Sequence, residues 1–155
     1  MTAAKAGVVH RIASAEAMEE LGARLAAGLR GGCVVFLIGD LGSGKTTLVR
    51  GLLRALGHRG VVPSPTFTLL ETYDTGGLKV VHLDLYRLDG PAELDQLAIR
   101  DYLGEQSVLL VEWPERAQGR LPRADCEVCI AMAEDGRRTV RLDSRSRVGE
   151  GFCTA

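Results

Sequence analysis

The residues most able to handle a charged ligand are Gly39-Asp40-Leu41-Gly42-Ser43-Gly44-Lys45-Thr46-Thr47. A glycine, four residues and then Gly-Lys-Thr is the spacing of a loop whose main-chain N–H groups wrap a phosphate. Glycines at 39, 42 and 44 let phosphate oxygens approach the backbone and permit dihedrals that side chains resist. Lys45 adds a mobile cation for β and γ phosphates, and the Thr46 hydroxyl suits Mg²⁺. A helix starting near Lys45 brings the positive end of its dipole. From the chain's own residue frequencies, such a match arises by accident roughly 0.004 times. Mg²⁺ on a nucleotide also takes a carboxylate, commonly from the end of a neighbouring strand. Two apolar runs deliver one: His82-Leu-Asp84 and Val108-Leu-Leu-Val-Glu112.

The surrounding pattern supplies the elements that hold these groups. Cys33 to Ile38 is apolar on both faces, as strands buried in parallel sheets are, and it runs straight into the glycine loop. Leu48, Val49, Leu52, Leu53 and Leu56 then recur at helical spacing up to Gly57. Upstream, Met18, Leu21, Leu25 and Leu29 predict a helix capped by Ser14. Pro63 and Pro65 make 58–66 a stiff loop. Strands are expected over 67–73 and 78–85, joined by a turn at 74–77, with His82, Asp84 and Tyr86 on one face. A helix beginning at Pro91, capped by Asp89, should continue to Leu103. Strand 107–111 ends before Pro114, and 126–132 with 138–142 form a last hairpin. Strands alternating with helices predict an α/β fold of three layers around a central mixed, partly parallel sheet. One domain should occupy residues 1–142, followed by a polar, flexible tail over 143–155.

Composition narrows the function. In 155 residues, 46% are hydrophobic and 25% charged, which excludes collagen-like and compositionally disordered classes. A net charge of −1 gives no overall attraction to nucleic acid or to an anionic membrane. No apolar run approaches the ~20 residues that span a bilayer, and Lys5 is followed by no stretch of signal-peptide length. A cytoplasmic protein is expected, and its four cysteines should be free thiols. Cys126 and Cys129 lie three apart in a strand and so face opposite sides, which disfavours a zinc site.

Taken with Ser64-Pro-Thr-Phe-Thr68, His82-Leu-Asp-Leu-Tyr-Arg87 and Val111-Glu-Trp-Pro-Glu115, the glycine loop resembles the TsaE family, formerly YjeE, from about Ser14 to Leu142. These are P-loop ATPases of bacterial tRNA threonylcarbamoyladenosine (t6A) biosynthesis. The resemblance implies a P-loop NTPase-like fold binding ATP and Mg²⁺, with residues 39–47 on the nucleotide and Thr46, Glu112 and Asp84 around the metal. It implies catalytic roles for Lys45, Asp84, Glu112 and Thr66, the last as a switch near the γ-phosphate. It implies TsaB and TsaD as partners, tRNA reached only through them, and hydrolysis that resets the transfer complex. Adenine contacts are weakly marked, with main chain near Ser14 and Ala15 as candidates.

Two other readings stay open on the residues. A small-molecule kinase would need a lid, for which Arg116, Arg120 and Arg123 are available. A binding module that holds ATP with little turnover would carry the same motifs. No arginine follows a motif that places it on the γ-phosphate, although Arg87 and Arg100 are possible, so slow hydrolysis without partners is expected. Trp113 is expected at the nucleotide site or a partner contact, and His82 as hydrogen-bonded core.

Overall fold

The structure, a computed structural model, describes residues 7–155, so Lys5 lies outside the described residues. Seven strands form one sheet: β1 (Val8–Ile12), β2 (Val34–Ile38), β3 (Leu70–Asp74), β4 (Lys79–Asp84), β5 (Ser107–Glu112), β6 (Cys126–Met132) and β7 (Arg138–Ser144). Their order is β1-β7-β6-β2-β5-β4-β3. The four central strands β6, β2, β5 and β4 are parallel, and the edges are antiparallel. Such a centre must be covered on both sides, and β5 is buried along its whole length.

Helices α1 (Ala15–Ala26), α2 (Lys45–Ala55) and α4 (Arg147–Cys153) cover one face, where Met18, Leu21, Leu48, Leu52 and Phe152 pack on Val35, Leu37, Leu110 and Val128. The other face is covered by α3 (Pro91–Gln96) and 3₁₀ turns at Ile99–Tyr102 and Pro114–Ala117, with Leu94, Ile99 and Ala117 on Val81, Leu83 and Val111. The expected three-layer α/β architecture with a mixed, partly parallel sheet is what the chain forms.

Two glycines set how closely the phosphate-loop helix α2 approaches α1. A Cβ on Gly51 would stand 2.0 Å from the Glu19 carbonyl oxygen, and one on Gly22 would stand 2.1 Å from that of Leu48. The helix backbones therefore meet directly at these positions, which no other residue type allows without displacement.

Several local expectations are corrected. Strand β3 starts at Leu70, because 65–68 form a turn and Leu69, which follows it, has φ 65°. Leu69 there donates its N–H to the Pro65 carbonyl and accepts from Asp84 N–H. Tyr86 lies beyond β4 in a turn, where its N–H donates to Asp84 Oδ1 at 3.0 Å. The cap of α3 is Gly90 and not Asp89, whose own N–H is taken by Glu93 Oε2 at 2.9 Å. That helix ends at Gln96, and a 3₁₀ turn follows Ala98, at φ 47°.

The largest correction is at 143–155, expected as a flexible tail. Strand β7 runs on to Ser144, and α4 places Phe152 fully inside the core. Ser146 caps α4 by accepting from Gly149 N–H and donates to Asp125 Oδ1 at 2.6 Å. Asp125 Oδ2 in turn accepts Val34 N–H at 2.8 Å, so one carboxylate joins β2, the entry to β6 and α4. Arg145 reaches Glu127 at 3.3 Å. β1 was not expected at all, and it completes the edge by pairing with β7.

All four cysteines are free thiols. Cys126 is buried with its sulfur 2.8 Å from that of Cys153, whereas Cys129 is only half-buried beside Arg141. The bond to Cys153 and burial push the Cys126 thiol far up, and burial pushes Cys33 up to about 12, which leaves both unreactive as thiolates.

The α1–α2 contact gives a direct test. Gly51→Ala should lower the unfolding free energy by about 1–3 kcal/mol, since overpacking outweighs the helix propensity gained. Gly77→Ala, where a Cβ meets nothing within 4 Å, should stay within about 1 kcal/mol of wild type. Urea titration of both variants compares them, and equal stabilities would disprove the close-approach argument.

Candidate nucleotide-binding site

The parallel register decides which side chains meet. Leu37 on β2 pairs with Glu112 on β5, and Glu112 pairs with Asp84 on β4. Three adjacent strands thus end in one row, and the chain leaves β2 there as the glycine loop. A crevice at the carboxyl ends of parallel strands is where open α/β sheets place ligands. Here it is an open cleft of about 240 Å³.

Gly42 and Gly44, at φ 75° and 109°, turn the loop with left-handed backbone. Ser43 is buried, and its Oγ has no hydrogen-bond partner. Gly44 caps α2 without a side chain, and the first turn of α2 holds no acid. Among the described residues no side chain caps this eleven-residue helix, so its first N–H groups and its dipole face the cleft.

Lys45 is buried, its Nζ donating to the Gly39 carbonyl at 2.6 Å and standing 3.9 Å from the centre of the Trp113 ring. Burial lowers its pKa, against the opposing pull of Glu112, Asp84, Glu115 and Asp40. Trp113 adopts φ 57° and ψ 51° directly before Pro114, a conformation that costs roughly 1–3 kcal/mol for a non-glycine residue. That backbone sets the indole over the lysine and against Tyr86, with ring centres 5.0 Å apart.

The two acids are buried and differently occupied. Glu112 Oε2 accepts the Thr46 hydroxyl at 3.1 Å and lies 2.7 Å from His82 Nε2. Asp84 Oδ2 accepts Thr66 Oγ1 at 3.1 Å and Ser64 Oγ at 3.3 Å, and the two hydroxyls are 2.8 Å apart. The Ser-Pro-Thr loop is thus fastened to one acid and the phosphate-loop helix to the other. His82 is fully buried and does not line the cleft, so it positions Glu112 as hydrogen-bonded core.

Of the residues predicted from sequence, Leu41 to Thr47, Thr66, Asp84 and Glu112 line this cleft together, and Ser14, Ala15 and Trp113 join them. Gly39 and Asp40 do not; they border a separate hollow beside β6. Sequence reasoning missed Ser64 as a partner of Asp84, Met18 on α1, and Arg138 on β7. Nothing in the pattern of 138–142 marks Arg138, which approaches the loop only through the sheet order. Arg87 stacks on Phe67 at 4.1 Å, Arg116 lies 5.6 Å from the Tyr86 ring centre and Arg120 pairs with Asp95, so none of these three is poised over the cleft.

The arrangement fits a nucleotide with a divalent cation. The unpartnered Ser43 hydroxyl and the uncapped helix supply an anion cradle. Thr46, Glu112 and Asp84 supply hard oxygen donors at its edge. Among the described residues no three or more His, Cys, Asp and Glu cluster as a metal cage. Mg²⁺ on phosphates uses only one or two carboxylates.

Sequence comparison agrees with the motif set. A family model described as threonylcarbamoyl adenosine biosynthesis protein TsaE matches residues 12–140. The chain belongs to the TsaE family. The TsaE of Haemophilus influenzae is 47% identical over 79% of this chain and 77% of its own length. That of Streptomyces coelicolor is 48% identical over 89% and 95%. A crystal structure of YdiB from Bacillus subtilis superposes with a TM-score of 0.82 at 29% identity, covering 99% of this chain and 95% of the other. Among the described residues of this TsaE-family chain no helix is long and apolar enough to cross a membrane.

The lowered pKa of Lys45 predicts a trade between stability and function. A base whose folded pKa lies below its unfolded value penalises the fold while charged, and the penalty is relieved as pH rises through the folded pKa. Lys45→Met should therefore match or exceed wild-type stability at pH 7, by up to about 1 kcal/mol. The advantage should shrink towards the pH range where an ordinary lysine deprotonates. Urea titrations at pH 7 and 10 measure this; an advantage that grows with pH contradicts the assignment.

Proposed function

We propose that this chain binds ATP with Mg²⁺ and hydrolyses it as a component of tRNA threonylcarbamoyladenosine biosynthesis. The observation that carries the reading is the uncapped, acid-free N-terminus of α2 opening onto the cleft that also holds Lys45, Thr46, Asp84 and Glu112. Lys45 leaves the Gly39 carbonyl to pair with phosphate, a charge-assisted contact stronger than the one it gives up. Thr46 and Glu112, already hydrogen-bonded to each other, would hold the metal, which when bound would neutralise charge on the phosphates. Asp84 and Thr66, hydrogen-bonded to each other, orient the attacking water. Because the Thr66 and Ser64 hydroxyls both rest on Asp84, the position of Thr66 responds to what lies at the phosphates.

Hydrolysis by the chain alone is slow, and TsaB and TsaD are its partners, with turnover resetting the complex in the cytoplasm. The rim of the cleft supports docking: Leu41 is 59% and Phe67 79% exposed, although both are large and apolar. The near-neutral charge supports tRNA being met through those partners.

ATP binding and turnover of the purified chain, alone and with TsaB and TsaD, test the proposal. Lys45→Ala should weaken ATP binding by about tenfold or more and remove turnover, given the strength of a charged contact to phosphate. Glu112→Gln should shift the Mg²⁺ dependence more than Asp84→Asn, while both slow hydrolysis by about 100-fold. ATP affinity unaltered in Lys45→Ala would sink the nucleotide assignment. Transfer of phosphate to a small-molecule acceptor, with no stimulation by the partners, would replace hydrolysis by a kinase activity.

A further inference from the structure

A group of thiols lies beneath α4, outside the cleft. Cys126 starts β6 and Cys153 ends α4, 27 positions apart in the chain, yet their sulfurs are 2.8 Å from each other. Cys33, fully buried just before β2, belongs to the same core cluster. All three are free thiols. A disulfide bond measures about 2.04 Å, so the resting sulfurs of Cys126 and Cys153 are only about 0.8 Å beyond bonding distance.

The two thiols of the pair are not equivalent. Cys126 has no exposed surface, whereas Cys153 keeps 4% of its own and borders an open hollow of about 370 Å³ with Val8, Leu142, Arg147 and Thr154. A small oxidant therefore meets Cys153 first. In the hydrogen bond between them the Cys126 S–H donates, which lowers the Cys153 pKa against burial and Asp143 and pushes that of Cys126 far up. The accessible sulfur is thus the one with thiolate character, and the sealed one keeps the proton. Burial holds Cys33 protonated.

We propose that Cys126 and Cys153 form an oxidation site at which a small hydroperoxide converts the pair to a disulfide, stapling α4 to β6. The Cys153 thiolate attacks one peroxide oxygen and the O–O bond breaks; Cys153 becomes a sulfenic acid, and the departing oxygen takes up the proton that Cys153 released. The Cys126 sulfur then attacks that of Cys153, its proton leaving with the hydroxyl as water. Both thiols lose their hydrogens, the S–S bond forms, and the peroxide accepts the two electrons. Ser146 already ties the first turn of α4 to Asp125, the residue before Cys126, so the disulfide fixes the other end of the same helix. The pair lies outside the cleft lining, and this inference does not rest on the nucleotide reading.

Peptide mapping with fragmentation, on the full chain treated with one equivalent of hydrogen peroxide and then unfolded and alkylated, tests the assignment. Wild type should lose the mass of two hydrogens, yield Cys126 linked to Cys153, and return to four alkylatable thiols with dithiothreitol. Its melting temperature should rise by about 5–10 °C on oxidation, the effect of closing a loop of this length, and fall back on reduction. Cys153→Ser should show neither the link nor the rise; should it fail to fold, the wild-type map decides. Cys126 and Cys153 that both stay alkylatable, a link to Cys33 or Cys129 instead, or Cys153 carried on to the sulfinic acid unlinked would each overturn the proposal. A linked chain that melts no higher than the reduced one, or a rise that persists in Cys153→Ser, would overturn the staple.

Discussion

The register of three parallel strands is the constraint on which the site depends. Glu112 and Asp84 end their strands side by side, next to Leu37 one residue before the end of β2, and a slip of one residue would turn either acid to the opposite face. That register is held by buried side chains on both faces, so the position of the carboxylates is settled by Val, Leu and Ile packing on either side of the sheet. The glycine loop contributes conformation, while the sheet contributes aim.

Placing a lysine and two carboxylates in one buried cluster is costly unless each is satisfied. The resting site meets that requirement from its own groups: the Gly39 carbonyl and Trp113 for Lys45, Thr46 and His82 for Glu112, and Ser64, Thr66 and Tyr86 N–H for Asp84. Each acid is fastened to a segment that also borders the cleft. The helix start and the Ser-Pro-Thr loop are therefore each coupled to one acid of the cleft.

The central strands and the phosphate-loop helix were legible in the sequence because continuous apolar runs and a 3.6-residue period leave few alternatives. Lys45, Thr46, Asp84 and Glu112 were legible because each sits at the edge of such a run. The edges were harder. β1 exposes Val8 and Val9, so its pattern lacks a buried stripe, and it exists by pairing with β7. The polar residues after Asp143 hid a helix whose stability comes from Phe152, Ser146 and Asp125, contacts distant in sequence. Strand propensity at Phe67 and Thr68 yielded to the turn closed by Leu69 onto Pro65. Arg138 was illegible for the same reason as α4: its neighbours at Gly42 and Gly44 are brought to it by topology.

Trp113 is the chain's only tryptophan, and it shares a face with the one ammonium that must move if phosphate is to bind. The molecule therefore carries a built-in optical probe: indole emission is sensitive to a nearby charge, and here all of it originates at the site. Occupancy, the order of events on binding and the effect of a second protein can be followed on the unlabelled chain, without attaching a dye to its surface.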